Sequence, residues 1–273
     1  MTRHSLCLRA CLLAASATAV FLPQLAAAQD KGAYLSISGV SGLTLDSDND
    51  GTFTGDFLTG PGTVVAAGST IPAGASIDWT TGFEITWGGN IALGFKTGPK
   101  FDEGGFRGEL ELAYDIASVD THEDAAAAGL PLGAEDAAVL LTSATDLLGI
   151  TVDQLLDDGE GAVSHRSMFA NAYYDIPLGY RVMPYVGGGI GWTLTDVEYS
   201  PSGLDVIDDT DEGVTWQLMA GATWSVDYSH EFFAGLRYRD RTDVGVQASL
   251  FPVDFDVEST RLLAEIGFRF NFG

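Results

Sequence analysis

At residues 168–194 the chain reads MFANAYYDIPLGYRVMPYVGGGIGWTL, and its side chains alternate in character with a period of two. On the first arm, small or apolar residues occupy the even positions from Met168 to Ile176. A period of two is that of a β-strand and not of a helix. Pro177, Leu178 and Gly179 break the alternation, which resumes over 185–194. The stretch therefore predicts a β-hairpin with one apolar face.

The same alternation recurs along the rest of the chain. It is found at residues 33–45, 79–95, 106–116, 214–226, 232–239 and 262–272. Short turns alternate with four long connections, residues 46–78, 119–162, 196–213 and 242–257. The pattern predicts an all-β fold, a roughly eight-stranded antiparallel up-and-down transmembrane β-barrel with short turns at one end and long extracellular loops at the other.

A soluble sandwich or a lipocalin-like barrel is the alternative, because it would show the same period with the apolar face inside. Trp79, Trp192, Trp216 and Trp224 stand near predicted strand ends, where they fit the aromatic girdles of a membrane protein. After residue 28 no continuous apolar run reaches the roughly 20 residues of a membrane helix. If the chain enters a membrane, we expect it to do so as a barrel.

The N-terminal segment has the features of an export signal. Arg3 and Arg9 precede an apolar run, and the small residues Ala26 to Ala28 form a cleavage site before Gln29. We therefore predict a signal peptide over 1–28 and a barrel domain over 29–273. Cys7 and Cys11 both lie in the predicted signal, so no disulfide is expected in the mature protein.

The charge of the chain is strongly acidic. It has 38 acidic and 13 basic residues, for a formal net charge of −25. This balance argues against nucleic acid or bare anionic lipid as a partner. Connections 46–78 and 119–162 contain no lysine or arginine, so we expect acidic loops on the outside.

The inward face of the predicted barrel carries charges of both signs. An eight-stranded barrel is only wide enough for its side chains to fill the interior, so these charges must pair. The inward candidates are Glu84, Arg107, Glu109, Glu111, Asp115, Asp175, Arg237, Arg239, Arg241, Arg261, Glu265 and Arg269. A packed ionic plug is the favoured interpretation, and a charged ion path is the alternative.

Residues 46–51, DSDNDG, match the first half of an EF-hand calcium loop. In that interpretation Asp46, Asp48, Asp50, Thr52 and Asp56 would hold Ca²⁺, although the twelfth position is Phe57 in place of the expected glutamate. A turn of solvated aspartates is the alternative. Calcium is the candidate cofactor that the sequence suggests.

The second long connection contains helix signals and is followed by a catalytic-looking pair. Thr151 and Gln154 form a capping-box pattern, which predicts a short helix. His165 and Ser167 resemble the His-x-Ser pair of lipid A deacylases, but both fall in the inward phase and no matched glutamate follows on that strand. A lipid A-modifying enzyme is therefore only a remote alternative.

Two motifs carry a resemblance to a known family. Residues 171–177, NAYYDIP, and 184–191, PYVGGGIG, resemble the central hairpin of the opacity-protein and surface-antigen family of outer-membrane β-barrels, which are porin-like and related in shape to outer membrane protein A. In such families an aromatic last strand, here Phe268, Phe270 and Phe272, is the signal for the β-barrel assembly machinery.

The resemblance implies a non-enzymatic outer-membrane surface protein of a Gram-negative bacterium, with a structural, adhesive or antigenic role. Its partners would be outer-membrane lipid and lipopolysaccharide, the assembly machinery and an extracellular or host partner. A small porin that allows weak passive diffusion of ions or solutes is the alternative.

Overall fold

The computed structural model describes residues 32–97, 104–157, 160–178, 181–203 and 206–272, without the side chains of residues 242 and 243. The predicted signal peptide, 1–28, lies outside the described residues. Within them, no helix is long and apolar enough to cross a membrane.

The described chain is mainly β-strand. The strands are β1 (Ala33–Thr44), β2 (Ser47–Phe53), β3 (Phe57–Leu58), β4 (Thr70–Ile71), β5 (Ser76–Phe83), β6 (Ile85–Lys96), β7 (Gly105–Ala127), β8 (Leu130–Pro131), β9 (Gly161–Asp175), β10 (Val182–Tyr199), β11 (Ile207–Ser225), β12 (His230–Gln247) and β13 (Val253–Phe272). An α-helix, α1 (Val152–Leu156), and two 3-10 turns (Ala137–Leu140 and Pro201–Gly203) lie in the connections.

The long strands form a closed antiparallel barrel. Its order is β1, β6, β7, β9, β10, β11, β12 and β13, each strand paired with the next. β13 pairs back onto β1 in the register Ile37 to Phe268, which closes the ring. β9 and β10 form the hairpin that residues 168–194 predict, with Tyr174 opposite Val186. The eight-stranded barrel is confirmed.

The outward face of the barrel is apolar over a belt that includes each of its long strands. Exposed members of this belt include Ile37, Ile91, Leu110, Leu112, Met168, Val186, Ile190, Leu218, Leu236 and Ile266. Water would not favour so much exposed apolar surface, whereas the hydrocarbon of a bilayer would. The apolar belt therefore fits a transmembrane barrel and not a soluble one. Trp192, Trp216 and Trp224 face outward in it, but Trp79 is buried, so its assignment to a girdle is wrong.

The four predicted long loops are shorter than the sequence pattern indicated. Connection 46–78 contains β2, β3, β4 and the start of β5, and β7 continues through Ala127. Connections 196–213 and 242–257 are mostly the ends of β10 to β13. β2 pairs with β13 and β5 pairs with β2 and β7, so the sheet continues beyond the apolar belt. We call this part, residues 47–53, 76–83, 117–127, 161–164, 195–199, 207–213, 244–247 and 253–258, the extension.

Two irregularities separate the belt from the extension. Leu45 and Asp46 are consecutive and both exposed, as are Glu84 and Ile85 on the partner strand. Two consecutive exposed residues shift the inward phase by one position, which is what a β-bulge does. Glu84 is therefore exposed, and its prediction as an inward residue is wrong.

The second connection folds as its capping signal predicts. The Thr151 hydroxyl accepts a hydrogen bond from the Gln154 N–H at 3.2 Å, and the Gln154 side chain accepts one from the Thr151 N–H at 3.0 Å. This reciprocal pair begins α1.

Candidate functional site

The interior of the belt is filled by charged and amide side chains, which we call the ionic plug. Its predicted members are all buried except Glu84. They are Arg107, Glu109, Glu111, Asp115, Asp175, Arg237, Arg239, Arg241, Arg261, Glu265 and Arg269. These residues occupy alternate positions on β7, β9, β12 and β13, so the strand period alone brings them inside.

At the end of the barrel with the short turns, Arg107 connects β7 to β9. Its Nε lies 2.7 Å from Oδ2 of Asp175, and its Nη1 lies 3.1 Å from Oε1 of Glu109. The Tyr34 hydroxyl donates to the same Glu109 oxygen at 2.7 Å. The Arg107 guanidinium also lies 4.4 Å from the centre of the Tyr173 ring, an additional cation–π contact.

Two arginines cross the middle of the plug. Arg237 reaches Glu111 at 2.8 Å and Glu265 at 2.7 Å. Arg239 reaches Glu111 at 3.0 Å and Asp115 at 2.8 Å, and Arg261 also pairs with Asp115. Bidentate and charge-assisted bonds of this kind offset the desolvation of charges that would otherwise cost several kcal/mol each.

The void found among the side chains of the plug is small. A void of about 10 Å³ lies among its side chains, lined by Ser36, Asn90, Glu109, Arg237 and Glu265 among others. That volume is no more than the space needed for a single water molecule. The arrangement therefore supports a packed interior and not a hydrated ion path.

Several members of the plug were not predicted. Lys96 and Arg269 both contact Glu231, each at 2.8 Å. Lys96 lies two positions after the inward Gly94, and Glu231 lies two positions before the inward Phe233. Extending the alternation to the strand ends would therefore have predicted both as inward residues. The neutral amides of Gln217, Asn171 and Asn90 also join the plug, where they hydrogen-bond to its charged side chains, Asn171 to Glu111 and Arg239 to Gln217 and Asn90 among them.

Aromatic rings in the interior face glycines on the neighbouring strand. The directly opposed pairs are Tyr34 and Gly94, Phe169 and Gly191, Tyr173 and Gly187, and Phe233 and Gly267. A methyl group added at Gly187 would lie 2.3 Å from the Tyr173 ring, and one at Gly267 would lie 2.2 Å from the Phe233 ring. The glycine run 187–189 is therefore explained in part by room for a ring, as expected for close packing between strands.

His165 and Ser167 both point into the closed interior. The His165 Nε2 lies 2.8 Å from the Ser259 hydroxyl, and the Ser167 hydroxyl lies 2.8 Å from the Thr193 hydroxyl. Both side chains are buried, at 1% and 6% exposure. A lipid outside the barrel could not reach them, which opposes the deacylase-like interpretation.

The extension reverses the polarity of the belt. Its interior is an apolar core, and every strand that runs into it contributes; the members include Phe53, Ile77, Trp79, Val119, Val163, Val197, Ile207, Val244, Val246, Val253, Phe255 and Val257. The Trp79 and Phe255 rings lie 4.5 Å apart between their centres. This core covers the ionic plug on the side of the long connections. It forms a second barrier to water at that end of the barrel.

The residues predicted to bind calcium lie along β2 and just beyond it. Asp48, Asp50 and Thr52 are exposed at alternate positions, which in an extended strand are about 6.6 to 6.8 Å apart. Asp48 accepts a hydrogen bond from the Thr80 hydroxyl, and Asp56 accepts one from the Ala73 N–H. The predicted calcium loop is therefore wrong as a local structure, because a strand spreads these oxygens apart. In the part of the chain that the structure describes, no three His, Cys, Asp or Glu side chains form a metal-binding group.

The outward face of the extension is acidic. Asp256, Asp50 and Asp78 stand directly opposite one another on β13, β2 and β5. Like charges in this arrangement repel, so the row is tolerated because it faces solvent. The acidic surface is therefore carried by rigid strands and not by free loops.

Asp136 fixes the second connection. Its carboxylate accepts hydrogen bonds from the N–H groups of Ala138, Leu148 and Gly149, at 3.0, 2.9 and 2.8 Å. Desolvation acts to raise the pKa of this carboxyl, but the three N–H groups outweigh it and hold the pKa below its usual range. Ionised Asp136 therefore ties the 3-10 turn to the segment before α1.

Phe268, Phe270 and Phe272 lie at the end of β13. Phe268 contacts Phe232 with ring centres 4.2 Å apart, and Phe270 is 5.1 Å from Phe268. Their recognition by the assembly machinery stays a prediction.

A closed barrel of eight antiparallel strands, with an apolar outer belt and a polar interior, defines the class of transmembrane β-barrels. A family model described as "Surface antigen" matches residues 66–247, which is more than half of the chain. The chain belongs to this surface antigen family, and the resemblance inferred from the hairpin is confirmed.

Similar shapes are found among solved outer-membrane proteins. OprG from Pseudomonas aeruginosa is 14% identical with a TM-score of 0.48, and 89% of this chain and 96% of that chain are covered. Neisserial surface protein A is 14% identical with a TM-score of 0.43, covering 89% and 98%. The outer membrane protease OmpT from Escherichia coli is 9% identical with a TM-score of 0.38, covering 88% and 97%. No curated protein matches the chain in sequence. At these values the neighbours carry no inference about function.

Proposed function

We propose that the chain is a non-enzymatic outer-membrane surface protein, in which a sealed barrel holds a rigid acidic extension outside the cell. The observation that carries this proposal is the packed ionic plug, in which a void of only about 10 Å³ lies among the charged side chains. A porin needs a continuous path for water, and the apolar core of the extension lies above the plug as a second barrier. The barrel is therefore an anchor for the surface that it presents.

The charge of the extension limits its partners. Its outward carboxylates favour a basic protein surface and disfavour polyanions such as nucleic acid. The lipid A phosphates of lipopolysaccharide would also repel these carboxylates, so the extension should stand away from the membrane surface. An extracellular or host partner with a basic face is the partner that this surface would suit.

The first test is electrical. The refolded mature chain in a planar bilayer is expected to give no sustained conductance steps, because a plug of this packing holds no water-filled path. A general porin in the same bilayer is the positive control, and a heat-dependent gel shift shows that the chain is folded. Voltage-stable steps whose ion selectivity changes in Arg237→Ala would contradict the proposal and favour the porin.

The second test concerns orientation. Both native cysteines lie in the predicted signal, so a single introduced cysteine can be labelled selectively. Asp50→Cys, on the extension, is expected to react with a membrane-impermeant maleimide on intact cells. Tyr228→Cys, which lies in an exposed turn at the other end, should react only after the membrane is permeabilised. The reverse pattern, or no labelling of Asp50→Cys on intact cells, would refute the orientation.

A further inference from the structure

We infer that the end of the barrel with the long connections holds a binding site for a neutral, apolar small molecule. A cavity of about 540 Å³ lies there, above the core of the extension and between the connections that follow β2 and β7. Its volume falls within the range of small-molecule sites, about 300 to 1,000 Å³. The site is independent of the proposed function, which depends on the plug and the acidic outer face.

The walls of the cavity are mainly aliphatic and aromatic. Phe53, Phe57 and Phe251 form one side, with ring centres 5.8 to 6.3 Å apart. Ile71 and Leu130 also line it. A ligand that covers these groups would remove apolar surface from water, which is the main source of affinity in such sites.

Three polar side chains of the lining, Glu135, Thr59 and Ser69, already have partners. Oε2 of Glu135 accepts hydrogen bonds from the N–H groups of Val64 and Val65, at 2.9 and 3.3 Å. The Thr59 and Ser69 hydroxyls both donate to the Ala66 carbonyl. These bonds are made within the protein, so an apolar ligand would not leave these groups unpaired.

The charge around the cavity decides between neutral and anionic ligands. Glu135 lines the cavity, and the sequence has no lysine or arginine between Lys31 and Lys96 or between Arg107 and Arg166. A fatty-acid anion or a lipid phosphate would therefore find a carboxylate and no cation. Burial of an unpaired anion is costly, so the site selects a neutral molecule.

The two connections that enclose the cavity are joined to each other. The Gly60 N–H donates to the Val139 carbonyl at 3.1 Å, and a side chain at Gly60 would collide with the Ala138 and Leu141 carbonyl oxygens. At the edge, Val64 and Leu130 are 85% and 65% exposed. The cavity thus has a fixed wall and an apolar rim through which a ligand can enter.

Two probes of similar shape and different charge test the inference. The full mature chain is placed in lipid nanodiscs, and fluorescence binding of neutral N-phenyl-1-naphthylamine and of anionic 8-anilinonaphthalene-1-sulfonate is measured, with empty nanodiscs subtracted. We expect saturable binding of the neutral probe that is roughly tenfold or more tighter than that of the anion. Equal affinities, or uptake of the neutral probe without saturation, would overturn the inference.

Substitutions place the binding in the cavity. Ile71→Trp fills it and should weaken the neutral probe by about tenfold, whereas Leu147→Trp, on an exposed position outside the lining, is the matched control. Glu135→Gln removes the negative charge of the lining, so the affinities of the neutral and the anionic probe should differ less in this variant. The gel shift confirms that each variant is folded. Unchanged binding in Ile71→Trp together with an unchanged preference in Glu135→Gln would exclude this cavity.

Discussion

Replacing Arg239 with alanine is expected to lower the free energy of unfolding by about 3 kcal/mol, at the lower end of the range for breaking a buried ion pair. The Arg239 side chain is fully buried and holds Asp115 at 2.8 Å and Glu111 at 3.0 Å. It also donates to Gln217 at 2.8 Å and to Asn90 at 3.1 Å. Its removal leaves two buried carboxylates short of one cation. Asp115 keeps Arg261 and Glu111 keeps Arg237, which is why we expect the lower end.

The measurement is a urea titration of the barrel refolded in lipid vesicles, followed by tryptophan fluorescence. Arg166→Ala is the matched control, because Arg166 pairs with Asp196 on the exposed outer face and such pairs contribute about 0 to 1 kcal/mol. If both variants lose a similar amount of unfolding free energy, the Arg239 side chain is hydrated. A hydrated interior would favour the porin.

The plug could be predicted because its members share one strand phase. Once the outward face is assigned, residues such as Arg237, Arg239 and Arg241 must point inward together. Which acid meets which arginine could not be predicted. Arg239 and Asp115 are 124 residues apart and meet across the interior, so their contact depends on how the sheet closes.

The extension was missed for a different reason. Residues 253–258, VDFDVE, alternate as strictly as the hairpin, but their outward positions carry carboxylates. Outward carboxylates are incompatible with lipid, so the pattern predicts a loop and not a membrane strand here. The structure shows the same strand period with reversed polarity, because this part of the wall stands in water and encloses apolar side chains. The alternation alone predicts a strand. Whether the outward residues are apolar or charged then predicts whether the outer face of that strand meets lipid or water.

The curled calcium loop and the inward position of Glu84 are not found, because the strand continues where the sequence suggests a turn; calcium binding itself stays a prediction. Aspartates at alternate positions converge on a cation only if the chain curls, and pairing of β2 with β13 and β5 keeps it extended. The bulge beside Glu84 adds one residue to the outward face, and a single sequence gives no clear sign of such an insertion. The cavity likewise depends on two connections that meet only in the folded chain.

Replacing Gly187 with alanine is expected to destabilise the barrel by about 1 to 3 kcal/mol, the usual cost of overpacking a close-packed interior. The new methyl group would lie 2.3 Å from the Tyr173 ring. That ring cannot move freely, because it contacts the Tyr185 ring at 5.7 Å between centres and lies under the Arg107 guanidinium. The loss of stability therefore includes a disturbance of the ionic plug around Arg107, at the end of the barrel with the short turns.

Gly188→Ala is the matched control, and we expect this substitution to stabilise the barrel slightly. A methyl group there would meet Gln217 and Leu218 at 3.7 Å, which is ordinary contact, and alanine would reduce the conformational freedom of the unfolded chain by an amount worth about 0.4 to 1 kcal/mol. Both variants are compared in the same urea titration in lipid vesicles. Equal stability of Gly187→Ala and Gly188→Ala would show that the Tyr173 ring has room to move, and that the glycine run serves the flexibility of the sheet and not its packing.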